Sequence, residues 1–96
     1  MNESNEVGRR VRDLRVSAKI DAQHLSRACG FSPSVVWCLE NGRIANPSAE
    51  LIVSLAEALG TQAEYLCRGK GNPPTAERVL AAFIRLVSRK RDSTAT

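Results

Sequence analysis

The chain is poor in aromatic residues: Trp37, Tyr65 and two phenylalanines are the only four among 96 residues. A hydrophobic core must therefore consist mainly of Leu, Val, Ile and Ala, which favours packed helices over a β-sandwich. No apolar run approaches the roughly 20 residues that a membrane-spanning helix requires. The polar start, MNESNE, does not resemble a signal peptide. We therefore expect a small cytoplasmic protein with one domain.

Cysteine and histidine are also scarce. Cys29, Cys38 and Cys67 are odd in number and form no C-x-x-C pair, so neither a disulfide framework nor a zinc site is predicted. His24 is the only histidine, and no acidic, Ser or Cys partner lies at a recognisable catalytic spacing from it. A glycine-rich phosphate loop is absent as well. The sequence therefore predicts a protein that is not an enzyme and that binds no metal or cofactor.

Positive charge is concentrated at the two ends of the chain. The net charge is +4 and the pI is near 9.4. Residues 1–20 contribute +2 and residues 68–96 contribute +5, whereas residues 21–67 carry −3. A basic protein is compatible with a polyanionic partner such as nucleic acid. Many basic small proteins bind no nucleic acid, so a prediction of nucleic-acid binding has to rest on sequence motifs.

Hydrophobic spacing predicts six helices and no strands. The predicted helices cover residues 6–18, 22–29, 33–40, 48–59, 61–67 and 75–91. Residues 70–74, which contain two prolines, are predicted to be a linker, and residues 1–5 and 92–96 are predicted to be disordered tails. The domain proper is therefore expected to span residues 6–69, with the sixth helix as an appendage.

Capping residues set the predicted helix boundaries. The predicted N-caps are Asp21, Ser32 and Thr75, and Ser48 is predicted to start the fourth helix. Pro33 suits the first position of the third helix, where a backbone N–H is not needed. Thr61 and Glu64 form a capping-box pattern for the fifth helix. Gly30 supplies the positive φ that ends the second helix.

Residues 20–43, IDAQHLSRACGFSPSVVWCLENGR, thus predict two short helices joined by a tight turn at Gly30. This is the arrangement of the helix-turn-helix, whose second helix commonly enters the major groove of DNA. Further markers occur in order along residues 7–69: Val11-x-x-Leu14-Arg15, Cys29-Gly30-Phe31-Ser32, Leu39-Glu40-Asn41-Gly42-Arg43, Pro47-Ser48 and Leu55-Ala56-x-x-Leu59-Gly60. Together they resemble the lambda-repressor-like family of Cro proteins and phage repressors. The resemblance implies an all-α fold with a five-helix DNA-binding domain, to which the sixth helix is added.

The resemblance also implies roles for individual residues. Arg15 and Glu40 match a structural ion pair between the first and third helices. The family reads base edges from the exposed side of the third helix, which helical spacing assigns to Pro33, Ser34, Trp37 and Cys38. The residues that match its phosphate contacts are Ala22, Ser32, Asn41, Arg43 and Asn46. The expected partner is double-stranded DNA with an inverted-repeat operator, bound by a homodimer that acts as a transcriptional repressor.

The predicted reading surface departs from the usual pattern. Ala22 stands where the family usually offers Gln, and neither Pro33 nor Trp37 can make the bidentate base contacts of Arg, Asn or Gln. Three explanations are open. The protein could bind DNA by atypical readout, or it could use an exposed Trp37 to bind a protein, as an antitoxin or regulatory partner does. Alternatively, the third helix could be rotated so that Trp37 is partly core.

The sixth helix has a wide apolar stripe that must be buried somewhere. It could pack on its own domain, or it could form a dimer through Val79, Leu80, Phe83, Ile84 and Val87. Its end carries the strongest basic cluster of the chain, formed by Arg85, Arg89, Lys90 and Arg91. We expect this cluster, Arg43 and the arginines of the first helix to supply the charge that neutralises DNA phosphates.

Overall fold

The computed structural model describes residues 6–94 and gives side chains for residues 6–90. Its helices are α1 (Glu6–Ser17), α2 (Ala22–Ala28), α3 (Val35–Glu40), α4 (Ala49–Leu59), α5 (Ala63–Arg68) and α6 (Ala76–Thr94). No strand occurs among the described residues, which confirms the predicted all-α class. None of these helices has the length and apolarity that a membrane span requires. The tails predicted at 1–5 and 95–96 lie outside the described residues.

The predicted start of the third helix is wrong. The helix α3 begins at Val35, and Ser32–Ser34 form a turn in which the Val35 N–H donates to the Ser32 carbonyl at 3.1 Å. The Val36 N–H is accepted by the Ser26 hydroxyl of α2 at 3.0 Å, so this helix start is satisfied from another helix and not by a cap at Ser32. Pro33 and Ser34 therefore lie just before the helix and not in its first turn.

The capping box predicted for the fifth helix is also wrong. Gln62 is the N-cap residue of α5, and Thr61 instead completes the end of α4. Gly60 there is left-handed, and the Thr61 N–H donates to the Ala56 carbonyl at 3.0 Å, which is the Schellman closure. Thr75 does accept the Arg78 N–H, as predicted for α6. That helix continues to Thr94, so residues 92–94 are helical where a tail was expected.

The core is aliphatic and receives side chains from all six helices. Its buried members include Val11, Leu14, Leu25, Val36, Leu39, Leu51, Leu55, Leu59, Leu66, Val79 and Leu86. The long helix α6 packs mainly on α4 and also contacts α1 and α2. The apolar stripe of α6 is therefore buried largely within its own chain, which was one of the two alternatives for this helix.

This packing changes the set of residues that could form a dimer. Val79 is fully buried in the core, and Phe83 and Val87 are partly buried against it. Val79 cannot meet a second subunit without opening the domain, whereas Phe83 and Val87 can offer only part of their surface. Leu80 and Ile84 remain 41% and 54% exposed, one helical turn apart. They are the only two of the five predicted contacts that lie on the outer face of α6.

Gly60 allows α6 to approach the end of α4 closely. Its φ is +70°, and a Cβ placed on it would lie 2.9 Å from the Ala82 Cβ and 3.3 Å from the Arg78 carbonyl oxygen. Both neighbours belong to α6. Glycine is therefore needed here for backbone conformation and for space.

We predict that Gly60→Ala destabilises the protein more than Gly71→Ala does. Gly71 also has a positive φ, +92°, but no heavy atom lies within 4 Å of a Cβ built there. Both variants suffer left-handed strain of about 1–2 kcal/mol, and Gly60→Ala adds overpacking of about 1–3 kcal/mol. Urea unfolding of the two variants measures the difference. Equal losses of unfolding free energy would mean that the contact with α6 is not tight.

Candidate nucleic-acid interface

The exposed side of α3 and of the turn before it forms the candidate interface. Pro33, Ser34 and Trp37 are exposed and Cys38 is half-buried, whereas Val36 and Leu39 are buried. Trp37 is 49% exposed. The rotated-helix alternative, in which Trp37 belongs to the core, is therefore wrong. The four residues predicted to read bases lie next to one another along one short segment.

Arg43 stacks on this surface. Its guanidinium carbon lies 5.4 Å from the centre of the Trp37 ring, which is a cation–π distance. The Arg43 N–H donates to the Cys38 carbonyl at 2.8 Å, so the loop after α3 folds back against the helix. Arg43, a predicted phosphate contact, is thus stacked on Trp37, a predicted base contact. The stacking brings positive charge to the outer face of α3.

The other predicted phosphate contacts differ in what they can offer. Ser32, Asn41 and Asn46 are exposed, but Asn41 Nδ2 already donates to the Trp37 carbonyl at 2.8 Å. Ala22, the first residue of α2, is half-buried. The Asp21 carboxylate accepts the N–H groups of Gln23 and His24, at 3.0 and 3.2 Å. An intramolecular carboxylate therefore occupies the helix start where a phosphate was expected.

The buried hydroxyl of Ser26 connects the two helices of the motif. Ser26 is fully buried, its Oγ donates to the Ala22 carbonyl at 2.9 Å, and it accepts the Val36 N–H at 3.0 Å. It therefore satisfies one of the N–H groups at the start of α3 that lack a partner within the helix. Sequence reasoning missed this residue. The only signal was a small polar residue beside the inward-facing Leu25.

The opposite end of α3 is held by Arg15 and Glu40. Arg15 Nε lies 2.7 Å from Glu40 Oε2, and Arg15 Nη2 lies 2.9 Å from Glu40 Oε1, so the pair is bidentate. Arg15 Nη1 also donates to the Ile20 carbonyl at 2.8 Å. The hydrogen bond to Glu40 raises the pKa of Arg15 against the opposing effect of burial. The pair joins α1 to α3 in the way that the sequence suggested.

Most α1 arginines are committed to contacts inside the domain. Besides Arg15, Arg10 Nη1 donates to the Leu66 carbonyl at 3.0 Å, at the end of α5. Arg9 pairs with Glu6 and lies near Asp13. Arg12 is exposed, and no ion pair of it occurs among the described side chains. The first helix therefore offers less charge to a phosphate backbone than its sequence indicates.

Cys29 closes the turn side of α2. Its Sγ donates to the Ser54 carbonyl at 3.6 Å. Burial raises the pKa of this thiol to about 11, so it is neutral and unreactive near pH 7. No group of three His, Cys, Asp or Glu side chains that could hold a metal ion occurs in the described part of the chain. Cys29 is therefore a packing residue of the motif.

Comparison with known families agrees with this geometry. A family model described as a helix-turn-helix domain matches residues 6–66, which is more than half of the chain. The chain belongs to the helix-turn-helix domain family. Such a domain indicates a DNA-binding regulator in general and is typically non-enzymatic. No curated protein and no solved structure gives a significant match. The matched region ends within α5 and does not include α6.

We predict that Ser26→Ala lowers the unfolding free energy by about 1–3 kcal/mol, because it leaves the buried Val36 N–H without an acceptor. Ser17→Ala is the matched control. The Ser17 hydroxyl donates to the Leu14 carbonyl at 2.8 Å, and no N–H depends on it. Urea unfolding gives the free energies, and hydrogen exchange at Val36 reports the lost bond directly. A Ser26→Ala loss no larger than that of Ser17→Ala would contradict the capping role.

Proposed function

We propose that this protein is a sequence-specific transcriptional regulator of the lambda-repressor-like type that acts in the cytoplasm as a repressor. Residues 33–40, the turn and α3, would enter the major groove. The observation that carries this proposal is the half-exposed Trp37 on an α3 held at both ends, stacked on Arg43. A rigid, outward-facing segment of this kind is what base readout requires.

The chemistry of the surface points to an unusual mode of readout. Trp37 and Pro33 can pack on thymine methyl groups, and the Ser34 hydroxyl can hydrogen-bond a base edge. Cys38 lies beside them. Ser32, Asn41, Arg43 and Asn46 would contact phosphates. At Ala22 the contact would be limited to its own N–H, because the Asp21 carboxylate accepts the N–H groups of Gln23 and His24. Because Pro33, Ser34, Trp37 and Cys38 cannot make the bidentate base contacts of Arg, Asn or Gln, DNA shape and backbone contacts would supply much of the specificity.

A homodimer fits this function. Two copies would join through the outer face of α6, where Leu80 and Ile84 are exposed. A two-fold dimer would place its α3 helices in successive major grooves, roughly 34 Å apart. The operator would then be an inverted repeat.

The most informative experiment is selection of bound fragments from random DNA at near-physiological salt. An enriched inverted repeat would support both the regulator and the dimer. Failure to enrich any sequence would contradict the proposal and would favour a protein partner for the Trp37 surface. The family match favours DNA over that protein-binding alternative.

With the selected site in hand, Trp37→Ala should weaken specific binding by about 1–3 kcal/mol, the value of one good base contact. The unfolding midpoint should not change, because the side chain packs on Arg43 and not in the core. Val53→Ala removes another exposed apolar side chain, 57% exposed on α4, and should leave binding intact. Fluorescence anisotropy with the selected and a scrambled duplex measures the effect. Normal binding by Trp37→Ala would exclude Trp37 as a reader.

The double variant Leu80→Lys/Ile84→Lys should be monomeric where the unchanged chain is a dimer. Deleting α6 would be a poor test, because Val79 and Leu86 belong to the core. Val16→Lys/Val53→Lys adds the same charge at two valines that are 53% and 57% exposed on α1 and α4, and it should remain dimeric. Sedimentation equilibrium measures all three. A monomeric unchanged chain, or a dimeric Leu80→Lys/Ile84→Lys variant, would contradict this interface.

A further inference from the structure

The C-terminal part of α6 returns to the turn of the helix-turn-helix. The Lys90 Nζ lies 3.9 Å from the position that a Cβ on Gly30 would occupy. This proximity follows from the packing of α6 along α4 and against α2. It brings a cation from outside the matched region, residues 6–66, to the motif itself.

The Lys90 ammonium group is close to the proposed DNA surface. Ser32, a proposed phosphate contact, follows Gly30 by two residues, which span at most about 7 Å of chain. The ammonium group therefore lies within roughly 12 Å of the Ser32 backbone. This distance is comparable to the Debye length of about 8–10 Å at moderate salt, and the flexible lysine side chain can shorten it. A phosphate bound at Ser32 would feel this charge.

The positive charge of Lys90 is available to a DNA phosphate. Its neighbour Arg89 pairs with Glu57 at 3.1 Å, so that cation is largely compensated. Lys90 is exposed, and no carboxylate pairs with it among the described side chains. The Lys90 ammonium group acts on the Cys29 thiol at the end of α2, but burial raises the pKa of that thiol to about 11, so it stays neutral near pH 7. Within residues 6–90, whose side chains the structure describes, α6 therefore brings to the turn of the motif a positive charge that no carboxylate pairs with.

We propose that Lys90 contacts a DNA phosphate next to the turn of the motif, so that α6 is part of the DNA interface as well as of the core. This inference rests on the proposed function. The sequence suggested only that the basic cluster at the end of α6 neutralises phosphates, whereas the structure places one member of it, Lys90, beside the turn at Gly30. The competing role for Lys90 is purely structural, as a cation that stabilises the C-terminus of α2.

The test compares Lys90→Gln, Lys90→Arg and Lys70→Gln in the full chain. The Lys70→Gln variant removes the same charge near the start of α6, where Lys70 lines a groove with Thr75 and Arg78. The helical rise puts Arg78 about 18 Å from Lys90. Anisotropy of a labelled mixed-sequence duplex gives the binding constant as the salt concentration rises from about 0.05 to 0.2 M.

Loss of one phosphate contact should reduce the slope of log K against log salt by about 0.9 per bound subunit. This corresponds to about eightfold weaker binding per subunit at 0.1 M salt. We expect that change for Lys90→Gln, the unchanged slope for Lys90→Arg, and no change for Lys70→Gln. Urea unfolding of Lys90→Gln should match that of the unchanged chain.

The other outcomes overturn the proposal in distinguishable ways. An unchanged slope for Lys90→Gln, with or without lost stability, means that Lys90 is at most structural, while the proposed function stands. An equal loss for Lys70→Gln means that only the net charge of the chain matters. If the unchanged chain shows no salt-dependent binding to any duplex, the contact and the proposed function both fail.

Discussion

The recognition helix depends on one buried hydroxyl at its start. A helix of six residues has too few internal hydrogen bonds to be stable alone, and the N-cap residue of α3 makes no side-chain hydrogen bond to it. The Ser26 hydroxyl supplies the missing acceptor from α2 while donating to its own helix. The Ser26 Oγ therefore satisfies a backbone N–H at the start of α3 and fixes the position of the two helices relative to each other.

The other end of α3 is fixed by an ion pair, and the two supports together determine what the surface can do. Glu40 lies almost fully buried against Arg15, which also bonds the chain before α2. A buried pair of this kind contributes little net stability but strongly disfavours any arrangement that separates its charges. Trp37, located between the two supports, is thus presented outward in one orientation. The unusual chemistry is confined to side chains such as Pro33 and Trp37, which neither support uses.

The sixth helix makes the folded domain larger than residues 6–66, the region that matches the family. It completes the core with Val79 and Leu86, and Gly60 permits its close approach to α4. The same packing carries its basic end to the turn at Gly30. Stability and surface charge are therefore coupled through one helix. Its two exposed apolar side chains are what remains for a second subunit.

The sequence alone determined the features that depend on neighbouring residues. The all-α class, the inward stripes and the caps at Asp21 and Thr75 follow from local periodicity and hydrogen bonding, and the structure has them. The caps predicted at Ser32 and Thr61 were wrong because other partners compete: a hydroxyl from α2 serves α3, and the closure of α4 uses Thr61. The destination of α6 and the position of its basic end were decided only by tertiary packing. An apolar stripe predicts that one face of a helix is buried, but it does not identify the surface against which that face packs.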